Sequence, residues 1–147
     1  MIRFILLITL LPALALGDDW NLRECEGVPL PTDFSIDECP NGRPCKFDID
    51  KTIHVKGTIK IDHPVTKLPS VVEAIKPNGE TINFGIPSGD ACNAVVEAKC
   101  PLDPGTYTIY SPVVIKGTPG EAVTTRIVIR DQDNKVVGCA STDTQFH

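Results

Sequence analysis

The hydrophobic positions of this chain recur every second residue. Between Thr52 and Ile61, the apolar Ile53, Val55, Ile59 and Ile61 alternate with His54, Lys56, Thr58 and Lys60. A period of two belongs to a strand buried on one face. The same period returns near the end of the chain. Val123, Thr125, Ile127 and Ile129 point one way, and Thr124, Arg126, Val128 and Arg130 the other. Asp131-Gln132-Asp133-Asn134 then reads as a polar turn, because Asp and Asn side chains hydrogen-bond turn backbone locally. Lys135 to Ala140 returns as the second arm and carries Cys139.

A central hairpin is predicted from Ser70–Lys76 and Glu80–Ile86 around Pro77-Asn78-Gly79, where Asn-Gly supplies the positive φ of a tight turn. Val72 and Ala74 of its first arm face the core, and Ile82, Phe84 and Ile86 share one face of the second. Thr106–Tyr110 and Pro112–Lys116 predict two further short strands. Glu24–Ile36 is extended and broken by prolines, the pattern of an edge strand. No stretch has the period of a long amphipathic helix, and 13 prolines and 11 glycines punctuate the rest. Seven or eight short strands between turn signals predict an all-β sandwich or barrel.

The first residues stand apart from this pattern. Met1–Gly17 has one basic residue, Arg3, an apolar run from Phe4 to Leu11, and the small-residue end Ala15-Leu16-Gly17. That is the layout of a secretory signal peptide, too short for a membrane span. Residues 18–147 are then a single domain, long enough to bury a core.

All six cysteines, at 25, 39, 45, 92, 100 and 139, lie in that domain. An even number behind a signal peptide reads as disulfides. Six cysteines admit many pairings. Local closure of Cys39 with Cys45 and of Cys92 with Cys100 is the simplest, and leaves Cys25 for Cys139. A zinc site needs paired CxxC spacings, which are absent from the sequence.

Charge and chemistry narrow the function. The net charge is −5, or −6 once Arg3 is removed. Nucleic acid and anionic membrane surfaces call for clustered Lys and Arg, and no basic run exceeds two residues. Catalysis needs a convergent nucleophile, base or metal. His54 sits on the outward face of a strand, His63 precedes a proline in a turn, and His147 ends the chain. Nucleophile-elbow, zincin, P-loop and dinucleotide motifs do not occur. Asp131 and Asp133 lack the bidentate Glu that closes an EF-hand loop. The reading is a protein that is not an enzyme, with no metal and no cofactor. Every Asn fails the Asn-x-Ser/Thr pattern, so no N-linked glycan is expected. The core is rich in Ile and Val but has few rings: five Phe, two Tyr and one Trp in the whole chain. Smooth aliphatic walls can pack solid or part around an apolar ligand.

In order along the chain stand Cys25, Cys39-Pro40…Pro44-Cys45, the central hairpin, Gly89-Asp90-Ala91-Cys92…Cys100-Pro101-Leu102, Thr106-Tyr107, and the Asp-rich turn leading to Cys139. In this set the sequence resembles the ML (lipid-recognition) domain family, which includes the Niemann–Pick type C second protein (epididymal secretory protein) and the group 2 mite allergens. The likeness spans essentially all of the mature chain.

The resemblance implies an immunoglobulin-like β-sandwich of two antiparallel sheets with bridges 25–139, 39–45 and 92–100. It also implies a sterol or other lipid held between the sheets without catalysis. It puts Phe84 and Val113 to Ile115 at the pocket mouth and Val72 within it. With the inward-facing Val55, Ile59, Ile86, Ile127 and Ile129, these form the expected lining. Ala140 stands where the sterol-binding member has a tryptophan, which reshapes the inner end of the pocket.

The expected function is a secreted, monomeric carrier of a sterol, fatty acid or other hydrophobic small molecule, handing it to a membrane lipid-transfer protein or receptor. The absence of sequons favours secretion over the lysosomal lumen. A second reading is an immune or chemosensory accessory protein that presents a lipid or semiochemical to a receptor. An enclosed cavity marks the first, an exposed apolar patch the second.

Overall fold

The structure is a computed structural model and describes residues 20–40, 46–84 and 89–147. The alternating segments become strands: β1 (Arg23–Glu24), β2 (Thr32–Ile36), β3 (Lys46–Phe47), β4 (Thr52–Ile61), β5 (Ser70–Ile75), β6 (Thr81–Phe84), β7 (Gly105–Val114), β8 (Ala122–Arg130) and β9 (Val136–Phe146). Among the described residues a single 3-10 turn, Ala91–Ala94, interrupts them, capped by Asp90, whose carboxylate accepts from the Cys92 N–H. The strands form a six-stranded sheet in the order β1-β9-β8-β5-β6, with β3 also on β9, and a three-stranded sheet in the order β2-β4-β7. This is the all-β two-sheet sandwich expected.

Strand β4 has the predicted limits, and the β5–β6 turn is the predicted one. Gly79 has φ +89°, and the Lys76 N–H donates to the Glu80 carbonyl 2.8 Å away. Four details differ from expectation. Thr106–Tyr110 and Pro112–Lys116 are one strand, β7, paired with β4 without a break from Gly105 to Val114. Pro112 fits because β7 lies at a sheet edge, where a proline can face its missing N–H away from the ladder. The closing arm does not stop at Ala140 but continues to Phe146. Glu24–Ile36 is divided, β1 joining one sheet and β2 the other. Finally, β3 and β9 run parallel, an exception to the antiparallel rule. In the second hairpin arm, Gly85 and Ile86 fall outside the described residues, as does the predicted signal peptide, Met1–Gly17.

Two of the expected bridges are formed, Cys25–Cys139 and Cys92–Cys100, with Cα separations of 5.4 and 5.7 Å. The Cys45 end of the third lies outside the described residues. The sheets pack through two apolar clusters. One gathers Ile59, Ile61, Val65, Leu68, Leu102, Ile109 and Ile129 at the end where β4 runs out. The other gathers Trp20, Ile36, Phe47, Ile53, Phe84, Ile115, Val123 and Phe146 at the opposite end.

Candidate functional site

The pleat decides which side chains meet between the sheets. On β4, Val55, Gly57 and Ile59 stand opposite Ser111, Ile109 and Tyr107 of β7. On β8, Ile127 and Ile129 stand opposite Ala140 and Gly138 of β9. These inward rows do not fill the space between them, because several positions carry small residues. A Cβ on Gly138 would still lie 3.4 Å from Ile59 of the facing sheet. Close-packed interiors leave room only where side chains are short, and Gly57, Ser70, Ala91, Ser111, Gly138 and Ala140 are all short.

The result is a cavity of two lobes. The first, about 70 Å³, is lined by Val55, Ile59, Ile109, Val113, Ile127 and Ile129 together with the short residues. The second, about 40 Å³, is lined by Trp20, Phe34, Phe47, Val72, Phe84, Ile115, Phe146 and others. Phe34, Val55, Val113, Ile127 and Ala140 border both, so the lobes adjoin at those five residues. Among the described residues that line them, none is charged.

Eight of the nine residues expected to line a pocket border one lobe or both: Val55, Ile59, Val72, Phe84, Val113, Ile115, Ile127 and Ile129. The ninth, Ile86, lies outside the described residues. Sequence reasoning missed Phe34, Trp20, Ile109 and Phe146. Ile109 continues the β7 alternation through Tyr107, Ser111 and Val113, a signal lost when the strand is cut at Pro112. Phe146 continues the β9 alternation through Gly138, Ala140, Thr142 and Thr144, which has no apolar periodicity to detect.

The second lobe is the aromatic end. The Trp20 ring stacks on Phe47 with centroids 6.2 Å apart and meets Phe34 edge-on at 5.8 Å. Phe84 and Phe146 meet edge-on at 6.4 Å. Trp20 is held in place from its backbone, since its carbonyl accepts from the Thr142 hydroxyl.

The titratable clusters lie elsewhere. On the outer face of the three-stranded sheet, His54 stacks on Tyr110, its Nδ1 2.6 Å from Glu38 Oε1. The Tyr110 hydroxyl donates to Asp37, and that bond raises the phenol pKa. At the β8–β9 turn, His63 sits 2.6 Å from both Asp62 and Asp131. Asp131 is not the surface turn residue that the sequence suggests: it is 2% exposed and accepts from the backbone N–H groups of Asp133 and Lys135. Burial pushes its pKa up, but the Lys135 N–H and the His63 ring outweigh that and hold it low. Neither cluster reaches the cavity. No group of three or more His, Cys, Asp or Glu among the described residues could hold a metal ion.

Comparison with known proteins agrees with this geometry. The ML domain family model matches residues 19–146. A solved structure of a Niemann–Pick type C2 protein from the Japanese carpenter ant superposes with a TM-score of 0.65 at 18% identity, over 84% of this chain and 98% of that one. No curated protein compared with the chain by sequence matches it. With a two-sheet fold, an uncharged space between the sheets and a family match over nearly all of its length, the chain belongs to the ML domain family.

Proposed function

We propose that this protein is a secreted carrier. It binds a sterol or another hydrophobic small molecule between its two sheets and hands it on without chemical change. The observation that carries this reading is the two-lobed space lined from both sheets by uncharged side chains. Val55, Ile59, Val72, Phe84, Val113, Ile115, Ile127 and Ile129 are the proposed contacts. Residues 1–17 act as the signal peptide, and the destination is extracellular.

The lobes, about 70 and 40 Å³, are small beside the roughly 300–1,000 Å³ of pockets that enclose drug-sized ligands. A sterol therefore fits only if the three-stranded sheet moves away from the six-stranded one. A ligand of about 28 heavy atoms at roughly 0.3 kcal/mol per atom gains about 8 kcal/mol, near-micromolar affinity. That strength suits a shuttle, which must also release.

The accessory-protein reading calls for an exposed apolar patch. Among the described residues only Val96 and Tyr110 are large, apolar and exposed, which favours the enclosed site. Binding of a fluorescent sterol and a fluorescent fatty acid to the purified protein tests the carrier. Native mass spectrometry for co-purified lipid tests it independently. Failure of both probes, with no lipid co-purifying, sinks it.

A further inference from the structure

Among the hydroxyls that point into the cavity, one pair has a proton to spare. Thr125 of β8 and Thr144 of β9 both line the second lobe, and their Oγ1 atoms are 2.7 Å apart. Three other hydroxyls of the lining donate to backbone carbonyls: Ser70 to Leu68, Ser111 to Pro112, and Thr142 to Trp20; Ser141, on the alternate phase of β9, also borders the second lobe. Each threonine hydroxyl carries one proton and can also accept. The Thr125–Thr144 bond consumes one proton of the two, and neither hydroxyl has another partner among the described residues. Both residues are half-buried, so a ligand that accepts from the spare proton gains a hydrogen bond that a ligand without an acceptor does not.

We propose that Thr125 and Thr144 form a polar anchor in the second lobe, which recognises a hydrogen-bond acceptor on an otherwise apolar, uncharged ligand. The class is a neutral lipid with a carbonyl, ester or hydroxyl oxygen. A plain hydrocarbon leaves the anchor unmet. A carboxylate meets it, but brings a charge into a space with no charged residue among its described lining, and an unpaired buried charge is far more costly than a neutral dipole. The register explains why the two side chains meet. Thr125 pairs with Thr142 and Val123 with Thr144, so Thr125 and Thr144 are diagonal neighbours on one face of the sheet, within reach of each other.

This inference rests on the carrier reading, and the test separates the two. Hexadecane, methyl palmitate and palmitate are compared as competitors of a bound neutral dye, N-phenylnaphthylamine, on the full mature chain at neutral pH. The expected order of affinity has methyl palmitate above palmitate. The Thr125→Val/Thr144→Val double variant lowers methyl palmitate affinity roughly two- to tenfold, the range of one net hydrogen bond, and leaves hexadecane within about twofold. Either single variant stays close to wild type, because the remaining hydroxyl keeps its own proton. Infrared spectroscopy of isotope-labelled ester carbonyl on the wild-type protein gives an answer independent of how the variants fold. A carbonyl stretch shifted to lower frequency on binding is expected.

If neither the dye nor any competitor binds, the carrier reading itself fails. Should the ligands bind while the double substitution leaves ester affinity unchanged or lowers ester and hydrocarbon by the same factor, or the carbonyl stretch stay unshifted, the anchor is refuted and the carrier stands. Palmitate binding more tightly than its methyl ester overturns the preference for neutral ligands.

Discussion

The Nε2 atom of His63 lies 2.6 Å from Oδ2 of Asp131, joining the loop that leaves the three-stranded sheet to the turn that ends β8 in the six-stranded sheet. The His63 side chain is 27% exposed and that of Asp131 1%. Hydrogen bonds that the His63 ring makes to the carboxylates of Asp62 and then Asp131 raise its pKa. A raised folded-state pKa gives stability that is fully present below the unfolded value, about 6.5, and is lost as pH rises through the folded value. Asp131 titrates below its ordinary range, so its share is present above about 3.9 and is lost as pH falls through its lowered value.

His63→Gln should therefore lower the melting temperature most under mildly acidic conditions. The gap from wild type should close as pH rises past the ordinary imidazole range. Melting curves of both proteins over that range check this, and a gap that widens with pH would rule the pair out as a clamp.

Gly117 faces a ring that has no room to move. Its φ is +151°, and an added Cβ would lie 2.4 and 2.6 Å from the Phe146 ring. Phe146 is 1% exposed and braced edge-on by Phe84. Gly117→Ala should cost about 1–3 kcal/mol through overpacking and backbone strain. Chemical denaturation measures the loss. In a double-mutant cycle, Phe146→Leu should recover part of it. Strictly additive losses would show that the ring is not the obstacle.

The Cys25–Cys139 bridge closes a loop with a sequence separation of 114, for which chain entropy predicts roughly 4–5 kcal/mol. Cys139 stands opposite Val128, while its neighbour Ala140 stands opposite Ile127. Cys139 itself borders the first lobe, but alternation along the strand sets its side chain on the face opposite that of Ala140. The bridge thus ties β1 to β9 within one sheet and does not cross the space between sheets. Cys25→Ala/Cys139→Ala should lose most of that stability yet keep its ligand affinity at low temperature. Calorimetry and binding at reduced temperature separate the two effects. Lost affinity in a fully folded variant would give the bridge a role in shaping the cavity.

How much of this could be read from the sequence depended on which side chains carried the signal. Strand β4 and the two central arms were legible because apolar residues alternate there with polar ones, so period and burial coincide. Most of the cavity walls followed, since inward Val55, Ile59, Ile127 and Ile129 sit on strands of known phase. The second half of β9 was not legible. Its inward residues include Thr142 and Thr144, which look like solvent-facing positions, and its strand character comes from pairing with β8 over its whole length. The division of β7 at Pro112 failed for a related reason: whether a proline breaks a strand depends on edge position, which is a property of the sheet. Asp131 looked like one polar turn residue among four. Its burial comes from the approach of His63, distant in sequence.

Ala140 offers the most direct test of the site. It borders both lobes, stands opposite Ile127, and is 6% exposed. Replacing it with leucine adds three carbons at the junction of the lobes. In a solid core such an addition forces strain of about 1–3 kcal/mol. Beside existing voids it can fill space instead, and cavity filling commonly stabilises by roughly 0.5–2 kcal/mol. Ala140→Leu should therefore keep or raise the melting temperature while weakening a fluorescent sterol by roughly tenfold, equivalent to about 1.4 kcal/mol. Phe84→Trp, at the aromatic end of the second lobe, should weaken the same probe and leave the fold intact. The opposing signs are the useful feature, since general damage lowers stability and affinity together. Unchanged sterol binding by a folded Ala140→Leu protein would place the ligand outside the space between the sheets.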